Sequence, residues 1–303
     1  MKLVTYVLKS DSQAKQYLGV LNDKGDVIDL VAEGKKILHK DFPDTMLGFI
    51  DAGNVALEDT NRLLKLNPSA LALSSVKLLS PIPKYNKNIF CVGRNYKLHI
   101  LEGARARGVD PTFPPVPELF TKPTTGVIGH EDQIHWDSRV TQQLDYEVEL
   151  AMVIGKKSIN LTAENALSAV FGYTIVNDVS ARDAQKAHGQ WFKGKGFDTY
   201  CPIGPCIVTA DEFGSPSGHQ LSLKVNGEIR QDSNTVDMLF SCEEILVSLS
   251  AGLTLEPGDT IATGTPSGVA LGMTPQKWLL DGHVLDLTIE GIGTLTNTVK
   301  KIH

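Results

Sequence analysis

The chain has 303 residues, with 29 Lys and Arg against 35 Asp and Glu, a formal net charge of −6. With 42% hydrophobic and 21% charged residues and no run of five or six like charges, it is not a disordered chain, and it lacks the basic footprint that binding nucleic-acid phosphates requires. No apolar stretch approaches the roughly 18–20 residues that span a bilayer, and Met1–Lys9 lacks a long apolar secretory core, so a cytoplasmic protein with no membrane partner is expected.

At about 150 residues per domain the length suggests two domains. In chain order, Leu3–Leu8, Tyr17–Leu21 and Val27–Leu30 read as short strands, the last two joined by a turn over Asn22–Asp26 in which Gly25 permits a positive φ. Ala56–Leu66 carries an apolar stripe at helical spacing. Ser80-Pro81-Ile82-Pro83-Lys84 favours an extended connection, which sets a small N-terminal β-rich domain (1–80) before a larger one (84–303). In the larger domain Ile89–Val92, Tyr146–Ile154, Tyr173–Val176, Leu221–Val225, Thr260–Thr263 and Val284–Ile289 fit strands. Ala163–Val170, Ala181–Ala187 and Ser241–Ala251 fit helices, and Asn226-Gly227 marks a hairpin. Strands and helices do not alternate, so the expected class is α+β and β-rich rather than doubly wound. Cys91, Cys201, Cys206 and Cys242 form no Cys-x-x-Cys pair and are expected to be reduced thiols, not zinc ligands.

The stretch Asp145-Tyr146-Glu147-Val148-Glu149-Leu150-Ala151-Met152-Val153-Ile154 alternates, placing Asp145, Glu147, Glu149, Ala151 and Val153 on one side. A solvated acidic strand face is the simple reading. Against it, Ala151 and Val153 continue the same face and call for burial, and like charges on one strand face repel. A further acid, Asp178, ends the apolar run Tyr173–Val176, and Ser180-x-x-Asp183 has the spacing of a helix-capping box. Glu147, Glu149 and Asp178 together would form a hard, all-oxygen ligand set, suited to Mg²⁺ or Mn²⁺, with Ca²⁺ also admitted, and unsuited to Zn²⁺.

His99 and Glu102 stand three apart on an expected helix, where a carboxylate can fix an imidazole tautomer for general-base work; the plain alternative is a surface ion pair. The Gly-, Pro- and Arg-rich stretch Glu102–Pro117 has the composition of a lid. Gly189–Gly196 nearly spells a phosphate-binding loop, but Gly196 replaces the hydroxyl residue and no long helix can follow, which leaves Lys195 as a cation for the carboxylates. Thr263–Val269 is a tight turn rich in hydroxyls and glycines, and no Gly-x-Ser-x-Gly elbow exists for a serine hydrolase.

In combination these segments resemble the fumarylacetoacetate hydrolase family, in its acylpyruvase-like branch, over roughly residues 85–303. The resemblance rests on Val92-Gly93-Arg94-Asn95-Tyr96-x-x-His99-x-x-Glu102, Phe120-Thr121-Lys122-Pro123, Asp145–Ala151, Asn177–Asp183 with Gln185, Gly194–Thr199, Lys224–Gly227 and Thr263-Gly264-Thr265-Pro266-x-Gly268-Val269. It implies a mixed β-sandwich roll around a divalent metal held by Glu147, Glu149 and Asp178. It implies His99 with Glu102 as the base on a lid helix, Lys195 as a catalytic cation, and Arg182, Gln185, Thr265, Lys122, Arg94 and Tyr96 around the substrate. It also implies a homodimer. Gly196 departs from the serine that relatives often carry, which puts substrate positioning beside Lys195 in question.

The activity so implied is hydrolysis of the C–C bond of a 2,4-dioxo acid, an acylpyruvate such as fumarylpyruvate or a diketo-deoxy sugar acid, to pyruvate and a carboxylic acid. His99 would activate the water and Lys195 would face the charge that develops. A decarboxylase or tautomerase acting on an oxaloacetate-type 2-oxo acid uses the same groups without the water step, and a non-catalytic metal-binding scaffold is the alternative outside enzymes.

Overall fold

In the computed structural model, which describes residues 1–303, the Val148–Ile154 strand lies at the centre of the molecule. It pairs antiparallel with Val170–Asn177 on one side and with Thr260–Ala262 on the other. All seven of its residues are buried, because both faces of the sheet are covered. The sheet has eleven strands. Its main path runs from Val27–Asp29 through Gln16–Leu21, Lys2–Leu8, Cys201–Thr209, Val170–Asn177, Val148–Ile154, Thr260–Ala262 and Ile89–Gly93 to Glu118–Lys122.

A second, five-stranded sheet orders Glu228–Asn234, Gln220–Val225, Val284–Ile289, Gly293–Lys301 and Gln133–Trp136. One core joins the two sheets, with Leu150, Met152 and Ile175 of the first clustered with Leu223, Leu285 and Leu287 of the second. Sheet on sheet, with eight α-helices of at most 11 residues, is the β-rich α+β sandwich that the strand pattern predicts.

The first eighty residues do not stand apart. Lys2–Leu8 pairs directly with Cys201–Thr209, Lys2 opposite Val208. Leu3, Ile28, Phe49 and Ile50 share a second core with Ala151, Val153, Val176 and Ile203, which lie on the opposite side of the central strands. The link at 80–84 has no regular structure.

Several local expectations change. Asp29 ends the Val27–Asp29 strand and caps the next helix, its carboxylate accepting from the Ala32 N–H at 2.8 Å. The Ala163–Val170 helix shrinks to a single 3₁₀ turn at Ala166–Ala169, because the β-branched and aromatic run from Val170 opens the buried strand. The Ser180-x-x-Asp183 box does not form. Ser180 is in a two-residue strand opposite Asp145, its hydroxyl donates to the Asp178 carbonyl, and Asp183 accepts from the Thr141 hydroxyl instead. A true capping box starts the Cys242–Ser250 helix, between Ser241 and Glu244. Cys201–Thr209, with Pro202, Gly204 and Pro205, is a strand despite its breakers; its pairing register shifts opposite Tyr173 and Ile175.

Candidate active site

The central strand delivers two of the three acids and its neighbour the third. Glu149 is on Val148–Ile154, Glu147 just precedes it, and Asp178 follows Val170–Asn177 by one residue. Carboxylate oxygens of Glu147, Glu149 and Asp178 all lie within 4.8 Å of one another, and all three residues are buried. The Val148 strand therefore does not present a solvated acidic face.

Cations compensate this charge unevenly. Lys195 donates to Glu147 Oε2 and Asp178 Oδ2, each at 2.6 Å, from a helical turn over Phe192–Lys195. Lys122, fully buried, donates to Asp178 Oδ1 at 2.5 Å and to the Val179 carbonyl. Arg182 reaches Glu147 Oε1 at 2.5 Å and Asp145 Oδ2 at 2.8 Å. Burial pushes the Glu147 carboxyl up, but Arg182 and Lys195 outweigh it and hold the group below the usual carboxylate range. Glu149 has no cation in contact and receives one N–H, from Gly264 at 2.9 Å. Burial, then the Asp178 and Glu147 charges, push it well above that range.

Four buried carboxylates (Asp145, Glu147, Glu149, Asp178) thus face three buried cations (Lys122, Arg182, Lys195), one negative charge in excess. With all four carboxylates ionised, a dication held by Glu147, Glu149 and Asp178 would relieve Glu149 and would leave one positive charge in excess, which suits an anionic ligand. The donor chemistry and the charge both fit a hard divalent metal.

Glu147, Glu149, Asp178, Arg182 and Lys195 open into a cavity of about 650 Å³. His99 lines it from the Lys97–Arg107 helix, which ends where Gly108 turns left-handed at φ +65°. His99 Nδ1 faces Glu102 Oε2 at 3.4 Å. Both Glu102 oxygens accept from the Gly268 N–H, at 3.0 and 3.1 Å. The 264–268 turn therefore touches the carboxylate cluster at Gly264 and the helix pair at Gly268.

Of the expected pocket residues, Arg94, Arg182, Gln185 and Thr265 are on its wall. Arg94 is held by Glu118 at 3.0 Å and by Thr112, and so ties down the stretch after the helix. Gln185 Oε1 accepts from Arg182 at 3.3 Å. The Thr265 hydroxyl donates to the Val148 carbonyl and accepts from Gln231. Lys122 and Tyr96 are not brought to the wall: Lys122 lies behind Asp178, and the Tyr96 hydroxyl is buried without a hydrogen-bond partner. Gly196 packs against Pro123, and a β-carbon there would meet the Phe192 carbonyl at 2.7 Å, so this backbone leaves no space for serine.

The sequence reading assigned no role to Asp145 or Gln231. Asp145 anchors Arg182 and accepts from the N–H groups of Ala270 and Leu271, and its place on the Glu147–Glu149 face was a usable signal. Gln231 is fully buried and joins Val148, Thr265 and Pro266; nothing in its polar strand, Glu228–Asn234, marks it. Trp191 completes the wall, its ring edge-on to Phe120 at 5.4 Å and close over Gly93.

A β-sandwich with a buried carboxylate cluster of metal-binding type and a histidine–glutamate pair across the same cavity is the architecture of an enzyme. The chain belongs to the fumarylacetoacetate hydrolase family: residues 88–300 match the fumarylacetoacetate (FAA) hydrolase C-terminal domain. It is 42% identical over 294 residues to an oxaloacetate tautomerase of Bacillus subtilis, covering 94% of this chain and 96% of the relative. It superposes on a fumarylacetoacetate hydrolase from psychrophilic Exiguobacterium antarcticum with a TM-score of 0.82 at 40% identity, over 99% of both chains. A maleylpyruvate hydrolase from Sphingobium, solved with manganese(II) and pyruvate, matches with a TM-score of 0.77 at 28% identity, again over 99% of both. Members of this family bind a divalent metal, and the relatives include hydrolases and tautomerases.

Proposed function

We propose that the protein is a divalent-metal-dependent tautomerase that interconverts the keto and enol forms of oxaloacetate or a closely related 2-oxo dicarboxylic acid. The observation that carries this reading is that His99, Lys195 and the three carboxylates line one cavity, with Lys195 bonded to two of the carboxylates. The Bacillus subtilis relative supports the choice of substrate. Mg²⁺ or Mn²⁺, held by Glu147, Glu149 and Asp178, would supply a Lewis acid and an anchor for the 1-carboxylate and 2-oxo oxygens.

The residues of this chain do the proton work. With Nδ1 turned to Glu102, His99 has Nε2 left to take the proton from C3 of the acid. Glu102, fixed by the Gly268 N–H, stabilises the imidazolium that results. Lys195, kept charged because Asp178 and Glu147 outweigh the effect of its burial, faces the oxygen on which negative charge develops. Return of the proton to that oxygen gives the enol, and no water is consumed. Arg182, already tied to Asp145 and Glu147, orients the carboxylate side of the pocket.

The test follows the ultraviolet absorbance of enol-oxaloacetate as it relaxes to the keto form at millimolar Mg²⁺. The protein should speed relaxation, and His99→Ala should lower the rate about 100-fold or more, the usual share of general acid–base catalysis. An unaltered His99→Ala rate would remove His99 from the role. Hydrolysis of an acylpyruvate is the second reading, favoured by a cavity of about 650 Å³, much more than a four-carbon acid fills, and by the maleylpyruvate hydrolase neighbour. A panel of 2,4-dioxo acids with varied acyl ends, scored for pyruvate release, separates the two; no turnover in either assay would favour a non-catalytic scaffold. The homodimer implied by the family is testable by sedimentation velocity.

A further inference from the structure

Apart from His99, Glu102 is held from two sides, and only one of these is a hydrogen bond. The Gly268 N–H grips both carboxylate oxygens. On the other side lies Gly272, at the end of the 3₁₀ turn Ala270–Gly272. A methyl group built on Gly272 would lie 2.1 Å from Glu102 Cγ, 2.2 Å from Cδ and 2.3 Å from Oε1. Real β-carbons do not approach heavy atoms so closely, so any side chain at 272 displaces the Glu102 carboxylate.

The backbone gives no other reason for glycine here. Gly272 has no positive φ, in contrast to Gly264 at +97° and Gly268 at +107°. Its three nearest neighbours in that direction are all atoms of one side chain, Glu102. Gly268 is constrained differently: its missing β-carbon would meet the Arg230 carbonyl at 1.9 Å. The two glycines therefore have separate tasks, Gly268 to bring an N–H to the carboxylate and Gly272 to leave the space the carboxylate fills.

We propose that Gly272 is a positioning residue: its lack of a side chain lets Glu102 settle between the Gly268 N–H and the His99 ring and so sets the geometry of the base. This rests on the reading of His99 as the base. Gly272 touches neither the carboxylate cluster nor, by this inference, the substrate.

The test is a double-mutant cycle on the full chain, read by enol-oxaloacetate relaxation. Gly272→Ala should lower kcat about tenfold or more while KM changes less than about twofold, since only the base is disturbed. In a Glu102→Ala background the same substitution should have almost no further effect, because the atoms it displaces are gone. Full additivity of the two losses, or a wild-type kcat for Gly272→Ala, overturns the inference. Should Gly272→Ala lower Tm, Glu102→Ala in the same chain should restore it; a deficit that persists overturns the inference too. If His99→Ala keeps the wild-type rate, the base assignment itself fails; if His99→Ala is inactive and Gly272→Ala is not impaired, only the role of Gly272 fails.

Discussion

Glu149 differs from its two partners in having no cation against it, and the difference has a measurable sign. A carboxyl whose pKa is raised on folding destabilises the protein at pH above its unfolded value, and the loss is relieved as pH falls through the folded value. Glu149→Gln should therefore raise the Tm of the metal-free protein near neutral pH. It should also abolish the rise produced by Mg²⁺ in the wild type. At 100 times the dissociation constant that rise reflects about 2.7 kcal/mol, roughly 4 °C for a chain of 303 residues. Differential scanning fluorimetry with and without Mg²⁺ reads both effects, and a retained Mg²⁺ response would place the metal elsewhere. At this scale the sequence was most informative where residues of one type recur at one spacing. Glu147 and Glu149 were visible through strand alternation, and Asp145 was visible by the same rule. Lys122 and Tyr96 were not legible, because whether a side chain stands before or behind a carboxylate depends on strands far apart in sequence.

The elements themselves were legible where composition and period agreed. The strand at Leu221–Val225, its Asn226-Gly227 hairpin and the Ser241-capped helix were found within a residue or two. Tertiary pairing overrode local signals elsewhere: Cys201–Thr209 contains two prolines and a glycine, yet it joins Lys2–Leu8 to Val170–Asn177. That bridge makes the amino-terminal eighty residues part of the wall behind the site. Without them, Ala151, Val153 and Val176 of the central strands lose the cover of Leu3, Ile28 and Phe49. A protein spanning 84–303 should accordingly lose cooperative thermal unfolding and aggregate, even though it holds every candidate site residue. A sharp, reversible melt of that fragment would show that the boundary at 80–84 separates independent folding units.

For the molecule as a whole, the charge and composition were sound guides to class and poor guides to the site. The formal −6 sums the whole chain and conceals a buried cluster of four carboxylates and three cations at and behind the cavity. The N-terminal strands add a second cover to the central sheet, a feature the two-domain expectation from length did not contain. No helix is long and apolar enough to cross a membrane. The placement of Trp191 over Gly93 has an optical consequence. Of the three indoles, Trp136 lies in the five-stranded sheet and Trp278 packs against the main core, so Trp191 alone is on the cavity wall. The emission of the protein thus carries a reporter of occupancy that needs no label and no turnover. Oxalate, a non-reacting dianion, should shift or quench this fluorescence in the presence of Mg²⁺, and Trp191→Phe should silence the response while the other two indoles continue to emit.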